Sequence, residues 1–150
     1  MSRGPPQTPP IGLQLGRTAR VASLAFEREL RAAGGSLATW QVLVLVRSRQ
    51  WGTQSQLAEA MGITGATLTH HLNALETQGL VRRWREADDR RVQQVELTAG
   101  GVALFDRLRT AAASHDARLR SQLTEAETAQ LAELLDKLRA GVGDQPAASD

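Results

Sequence analysis

Residues 53–80 read TQSQLAEAMGITGATLTHHLNALETQGL, and this stretch decides the fold. Thr53 and Gln56 stand at the spacing of a capping box, in which the threonine hydroxyl and the glutamine amide each satisfy a backbone N–H at a helix start. Leu57, Ala58 and Met61 follow at helical steps, and Gly62 ends a short helix. Ile63 and the cap Thr64 open a second helix, which carries Leu68, Leu72 and Leu75 and ends at Gly79. Two helices joined by a tight turn at a glycine are the sequence form of a helix-turn-helix.

Working outward, the period changes after Gly79. Val81 to Arg85 and Val92 to Leu97 read as two strands around a polar loop of Glu86, Ala87, Asp88, Asp89 and Arg90. Val95 and Leu97 alternate with Gln94 and Glu96, as on a half-buried strand. A helix-turn-helix followed directly by a hairpin is a winged helix. Upstream, Leu13 to Ala33 is helical and stops at Gly34-Gly35. Ser36 or Thr39 then starts a helix through Trp40 and the Val42–Val46 run, ending near Arg49. That run could also be a strand, but its helical neighbours favour a buried helix. Downstream, Thr98 caps a helix over about 99–122, with Val102, Phe105, Leu108, Ala112, His115 and Leu119 along one stripe. A second capping box, Thr124 to Glu127, opens a last helix with Leu131, Leu134, Leu135 and Leu138.

The fold class is therefore mainly α with a small β-hairpin wing, a winged helix-turn-helix flanked by N- and C-terminal helices. Expected boundaries are a disordered arm at 1–10, which holds four of the five prolines, a single domain at 11–140 and a flexible tail at 141–150. Within the domain the winged helix spans about 36–98, between flanking helices at about 11–35 and 99–140. One small domain seldom needs amphipathic helices at both ends for its own core, so their apolar faces suit a partner subunit.

Net charge is only +2, yet the sequence pI is about 10.3. There are 17 arginines, one lysine, no tyrosine and no cysteine, so almost nothing titrates between histidine and arginine. The location of the charge says more. Residues 53–80 hold Glu59 and Glu76 and no basic side chain, whereas Arg82, Arg83, Arg85, Arg90 and Arg91 lie within ten residues of the hairpin. Without cysteine there is no disulfide, thiolate zinc site, thiol nucleophile or thiol sensor. The longest apolar run is five residues, too short to span a membrane, and the expected location is the cytoplasm. No Gly-rich phosphate loop, nucleophile elbow or paired acids support catalysis, so neither an enzyme nor a cofactor is expected.

Phosphate contacts supply most DNA affinity, and base edges supply specificity. A helix starting at Thr64 would aim its N-terminal N–H groups at a phosphate or the groove floor. Its exposed face offers Gly65, Ala66, Thr67, Thr69, His70 and Asn73, small residues first and neutral donors after. Arg90 and Arg91 at the hairpin tip can enter a minor groove, with Asp89 bracing them or, on the bland reading, pairing them off. His70-His71 is a poor metal chelate, because adjacent helical side chains point about 100° apart. His71 is expected to pack inward and His70 to face out. Trp40 and Trp51 read as core, and Trp84 on the first strand is open.

The ordered set Leu57-Ala58-Glu59, Gly62-Ile63-Thr64, Thr67-Leu68-Thr69, Leu75-Glu76, Gly79-Leu80-Val81, Arg83, Asp89-Arg90-Arg91, Leu97-Thr98 and Gly100 or Gly101 resembles the MarR family of bacterial transcription regulators. Upstream, Thr39-Trp40-Gln41-Val42-Leu43 resembles the opening of that family's second helix, and the likeness covers about residues 13–140. The resemblance implies a homodimer held by the first and last two helices, with two winged helices reading successive major grooves of a pseudo-palindromic operator. It implies a repressor whose partner is double-stranded DNA. Carried over, Thr64 is the cap, Thr67, Thr69 and His70 lie on the reading face, Arg90 and Arg91 are wing residues and Arg83 stands at the wing base. With Thr53 and the exposed Gly65, Ala66 and Asn73 they make up the expected DNA-facing set, with Asp89 as wing support. Many members lose DNA affinity when a small aromatic anion binds between the dimer and DNA-binding parts, which implies such an effector here, with Trp40 and Phe26 as candidate lining. The chain departs from the family in having His70 where many members carry arginine, and in lacking wing prolines. The phrase Thr69-His70-His71-Leu72 also resembles ArsR-type, metal-responsive repressors, although length and the Asp-Arg-Arg wing favour MarR. A winged helix serving only protein contacts is the other alternative.

Overall fold

The structure, a computed structural model, describes residues 8–48 and 53–143. Among these, six helices and one hairpin run in the order α1 (Ile11–Ala32), α2 (Leu37–Arg47), α3 (Gln54–Met61), α4 (Gly65–Thr77), β1 (Val81–Arg85), β2 (Gln93–Leu97), α5 (Ala99–Arg120) and α6 (Glu125–Gly141). Most of the arm expected at 1–10, most of the tail expected at 141–150, the end of the second helix near Arg49, and Trp51 lie outside the described residues. Gly141, expected in the tail, is instead the last residue of α6. No helix among the described residues is long and apolar enough to cross a membrane.

The chain divides into two compact units, Met1–Ala113 and Ser114–Asp150, the boundary falling inside α5. In the first unit, Ser36 caps α2 by accepting from Thr39 N at 3.1 Å, which decides between the two candidate caps. Glu27 of α1 ties the two helices together, its Oε2 accepting from Leu37 N at 2.9 Å. The Val/Leu run is helical, and Val42, Leu43 and Val46 are its buried positions. They meet Leu30, Leu57, Leu68, Leu72, Leu75, Val81, Val95, Leu104 and Leu108 in one core. Burying a leucine of this kind stabilises by about 1.5–3 kcal/mol. The hairpin pairs antiparallel, with Arg83 opposite Val95, and an isolated bridge from Thr53 to Gln94 joins the start of α3 to the same sheet.

The inward face of α5 differs from the expected stripe. Gly101, Leu104 and Leu108 are its buried residues, while Val102 and Phe105 are half-buried and Leu119 is exposed. The cause is the contact at Gly101, where a Cβ would run into the carbonyl oxygen of Leu80. Only glycine lets the helix approach the end of the helix-turn-helix so closely, and that approach sets the rotation of the helix. Thr98 fixes the same junction. Its hydroxyl donates to Gly79 O at 2.5 Å and accepts from Gly101 N at 3.1 Å, and its N–H donates to Leu80 O at 3.1 Å.

In α1, Ile11, Leu13, Leu15, Val21 and Leu24 remain exposed, with Leu30 its buried residue. In the second unit, Thr124 and Glu127 form the expected capping box, and acidic Glu125 and Glu127 suit the positive helix start. Leu131, Leu134, Leu135 and Leu138 of α6 are all exposed.

Candidate nucleic-acid interface

Helices α3 and α4 are built as their caps require. Thr53 accepts from Gln56 N while Gln56 Oε1 accepts from Thr53 N at 3.1 Å. Gly62 takes φ 65°, a left-handed conformation that L side chains rarely adopt, and Ile63 N closes the turn on Ala58 O at 3.1 Å. Thr64 then accepts from Thr67 N at 3.2 Å, with the two hydroxyls 2.9 Å apart. A threonine cap of this kind is worth about 0.5–2 kcal/mol.

Leu68, Leu72 and Leu75 anchor α4 in the core. Thr64, Gly65, Ala66, Thr67, His70 and Asn73 are exposed, as the sequence predicts. Nothing lies within 4 Å of a Cβ built at Gly65, so the helix start is open to close approach. Thr69 is half-buried. Its Oγ1 lies 2.6 Å from Gln54 Nε2, so α3 holds this side chain. Gln54 Oε1 is itself buried without a partner among the described residues. His71 is half-buried and His70 exposed, their ring centroids 6.0 Å apart. Among the described residues no three or more His, Asp or Glu side chains gather as a metal site.

The hairpin arginines divide into two sets. Arg82 pairs with Glu96, its register partner on β2, and lies 5.0 Å over the Trp84 ring. Arg83 reaches back to α4, where Nε and Nη2 grip Glu76 at 3.3 and 3.1 Å and Nη2 meets Asn73 Oδ1 at 2.5 Å. Hydrogen bonding to Arg83 holds the Glu76 carboxyl below its ordinary value, against the opposing effect of burial and with the Arg83 charge adding to it. Arg85 donates to Arg90 O at 2.6 Å and so shapes the loop. Arg90 and Arg91, at the tip, are exposed, and neither guanidinium has a carboxylate partner among the described residues. Asp89 does brace the tip, but through the backbone, accepting from Arg91 N at 3.0 Å. Gln54 is a contributor that the sequence does not single out, and Glu76 and Arg85, named there only in a motif and in the arginine cluster, gain their roles from the packing.

A cavity of about 260 Å³ lies between α2 and α3, lined by Trp40, Gln41, Val44, Leu45, Ala60 and Met61. Trp40 stacks on Phe105, with ring centroids 5.6 Å apart. Phe26, the other aromatic candidate, packs on the core and does not line this cavity.

This arrangement matches known proteins. A family model described as MarR family matches residues 36–92. CouR, a transcriptional repressor bound to a 23-mer DNA duplex, is 27% identical with a TM-score of 0.77, over 86% of this chain and 92% of that one. A Cys-to-Ser variant of MarR from E. coli, complexed with operator DNA, is 25% identical with a TM-score of 0.76, over 87% and 94%. MepR from S. aureus, in a DNA complex, shares the fold at 24% identity and a TM-score of 0.76, over 87% and 96%. Residues 36–92 of this chain, from the α2 cap through the hairpin loop, are a MarR-family domain.

Proposed function

We propose that this chain is a homodimeric, sequence-specific DNA-binding transcription regulator, a cytoplasmic repressor of a pseudo-palindromic operator and not an enzyme. The observations that carry the reading are a capped, neutral, small-residue helix face and, at the hairpin tip, two exposed arginines without a carboxylate partner among the described residues. Helix α4 would enter the major groove, with Thr64, Gly65, Ala66, Thr67, Thr69, His70 and Asn73 toward the bases and Thr53 toward the backbone. Arg90 and Arg91 would lie in the flanking minor groove, where the negative potential is deepest. The DNA-bound relatives support this use of the fold.

The exposed leucines of α6 and the apolar face of α1 are the surfaces on which two copies would meet. A small aromatic effector belongs to the same reading. An apolar cavity of about 150 Å³ accepts a benzene ring, and the larger space beside Trp40 would hold a single-ring compound.

Selection of bound fragments from a random DNA pool tests the function. Enrichment of sites with dyad symmetry, half-sites about 10 base pairs apart, is the expected result. No enrichment would overturn DNA reading, and enrichment without symmetry would overturn the dimer.

A further inference from the structure

The sequence groups Asn73 and Arg83 alike among DNA contacts, but the structure gives them different chemistry. A guanidinium carries donors only. With Arg83 Nη2 2.5 Å from Asn73 Oδ1, one of the two lone pairs of the amide oxygen is engaged and the oxygen is held toward Arg83, because turning the amide would set its NH₂ against a donor. Asn73 is exposed on the same face as Ala66 and His70, so what it has left to offer is the Nδ2 donor pair. Arg83 has a different situation again. Its side chain is 11% exposed and its fork is closed on Glu76, so a phosphate would have to displace a carboxylate to reach it.

We infer that Arg83 is a positioning residue that makes Asn73 a donor-only reader, selecting guanine over adenine at one position of each half-site. The inference rests on the proposed DNA reading. Adenine shows the major groove an acceptor and a donor side by side, and asparagine recognises that edge with its oxygen and nitrogen together. Asn73 has lent its oxygen to Arg83. An outward NH₂ meets two adjacent acceptors on guanine, N7 and O6, but on adenine only N7, beside the repelling N6 donor.

The test is pool selection plus the salt dependence of binding, run on the full chain and four variants. Asn73→Ala should lose a guanine preference at one position per half-site and weaken binding there about tenfold. The double change Arg83→Gln with Glu76→Gln removes the clamp at constant net charge. It should lose the same preference and leave the salt slope unchanged. Adding Asn73→Ala to it should cost a different amount from the same change in the unaltered chain, since the three groups are coupled; equal costs would overturn the inference. Arg83→Lys keeps the charge without the fork, remains informative if the double change unfolds the hairpin, and should lose the preference too.

A salt slope lower by about 0.9 in the double variant, with all sequences weakened alike, would make Arg83 a phosphate contact and overturn the inference. So would wild-type behaviour of Arg83→Lys, or adenine at the position that Asn73→Ala affects. These outcomes leave the regulator reading intact. If the unaltered chain enriches no sequence, the regulator reading falls and this inference with it.

Discussion

The two ends of the hairpin use the same side chain for different purposes. At the base, Arg82 and Arg83 are matched to Glu96 and Glu76, and their charge is spent inside the protein. At the tip, Arg90 and Arg91 meet no carboxylate among the described residues, while Arg85 and Asp89 shape the loop that carries them. Arginine density therefore overstates the charge offered to a partner. Of five arginines in ten residues, two are matched to carboxylates, Arg85 is turned to the loop backbone, and Arg90 and Arg91 extend from the tip.

The largest effect comes from removing what both ends stand on. Leu68→Ala opens the core beneath α4 and should cost about 2–5 kcal/mol of stability, read by urea or thermal unfolding. A loss under 1 kcal/mol would mean that α4 is not anchored as described. Next, replacing Arg90 and Arg91 together with alanine should weaken DNA binding by a few kcal/mol. The salt slope should flatten by about 0.9 for each phosphate left without its arginine. Arg82→Ala serves as the contrast and should leave the slope nearly unchanged. Equal slopes for tip and base variants would erase the distinction.

Thr64→Ala should cost about 0.5–2 kcal/mol of stability through removal of the cap, with the hairpin intact by circular dichroism. The smallest effect belongs to Glu76. Its pKa is lowered in the folded chain, so its contribution is present above the ordinary carboxylate value of 4.5 and is lost as pH falls through the lower, folded value. The stability difference between the unaltered chain and Glu76→Gln should stay flat at neutral pH and shrink on acidification. A difference that persists in strong acid would show that Arg83 is held by something other than the carboxylate.

Most of the fold was legible because its punctuation is local. Thr53, Thr64 and Thr124 cap helices, and Gly62 turns the chain, on the strength of neighbours within a few residues. The tip residues of the wing could be read for the same reason. What escaped depends on how elements pack on one another. The rotation of α5 follows from Gly101 meeting Leu80, which no periodicity within α5 reveals. The clamp of Arg83 on Glu76 joins side chains seven residues apart across a helix end and a turn, and so appears only once the hairpin's direction is known. Gln54 holding Thr69 likewise needs the packing of α3 on α4.

The Thr98 hydroxyl, fastened to Gly79 on one side and Gly101 on the other, has a mechanical meaning. With the carbonyl of Leu80 filling the space where a Cβ would sit on Gly101, the junction has almost no free play. The start of α5 and the turn after α4 are therefore seated on each other as one piece. That turn closes the helix that carries Asn73 and Glu76, about three and a half turns from the Thr64 cap.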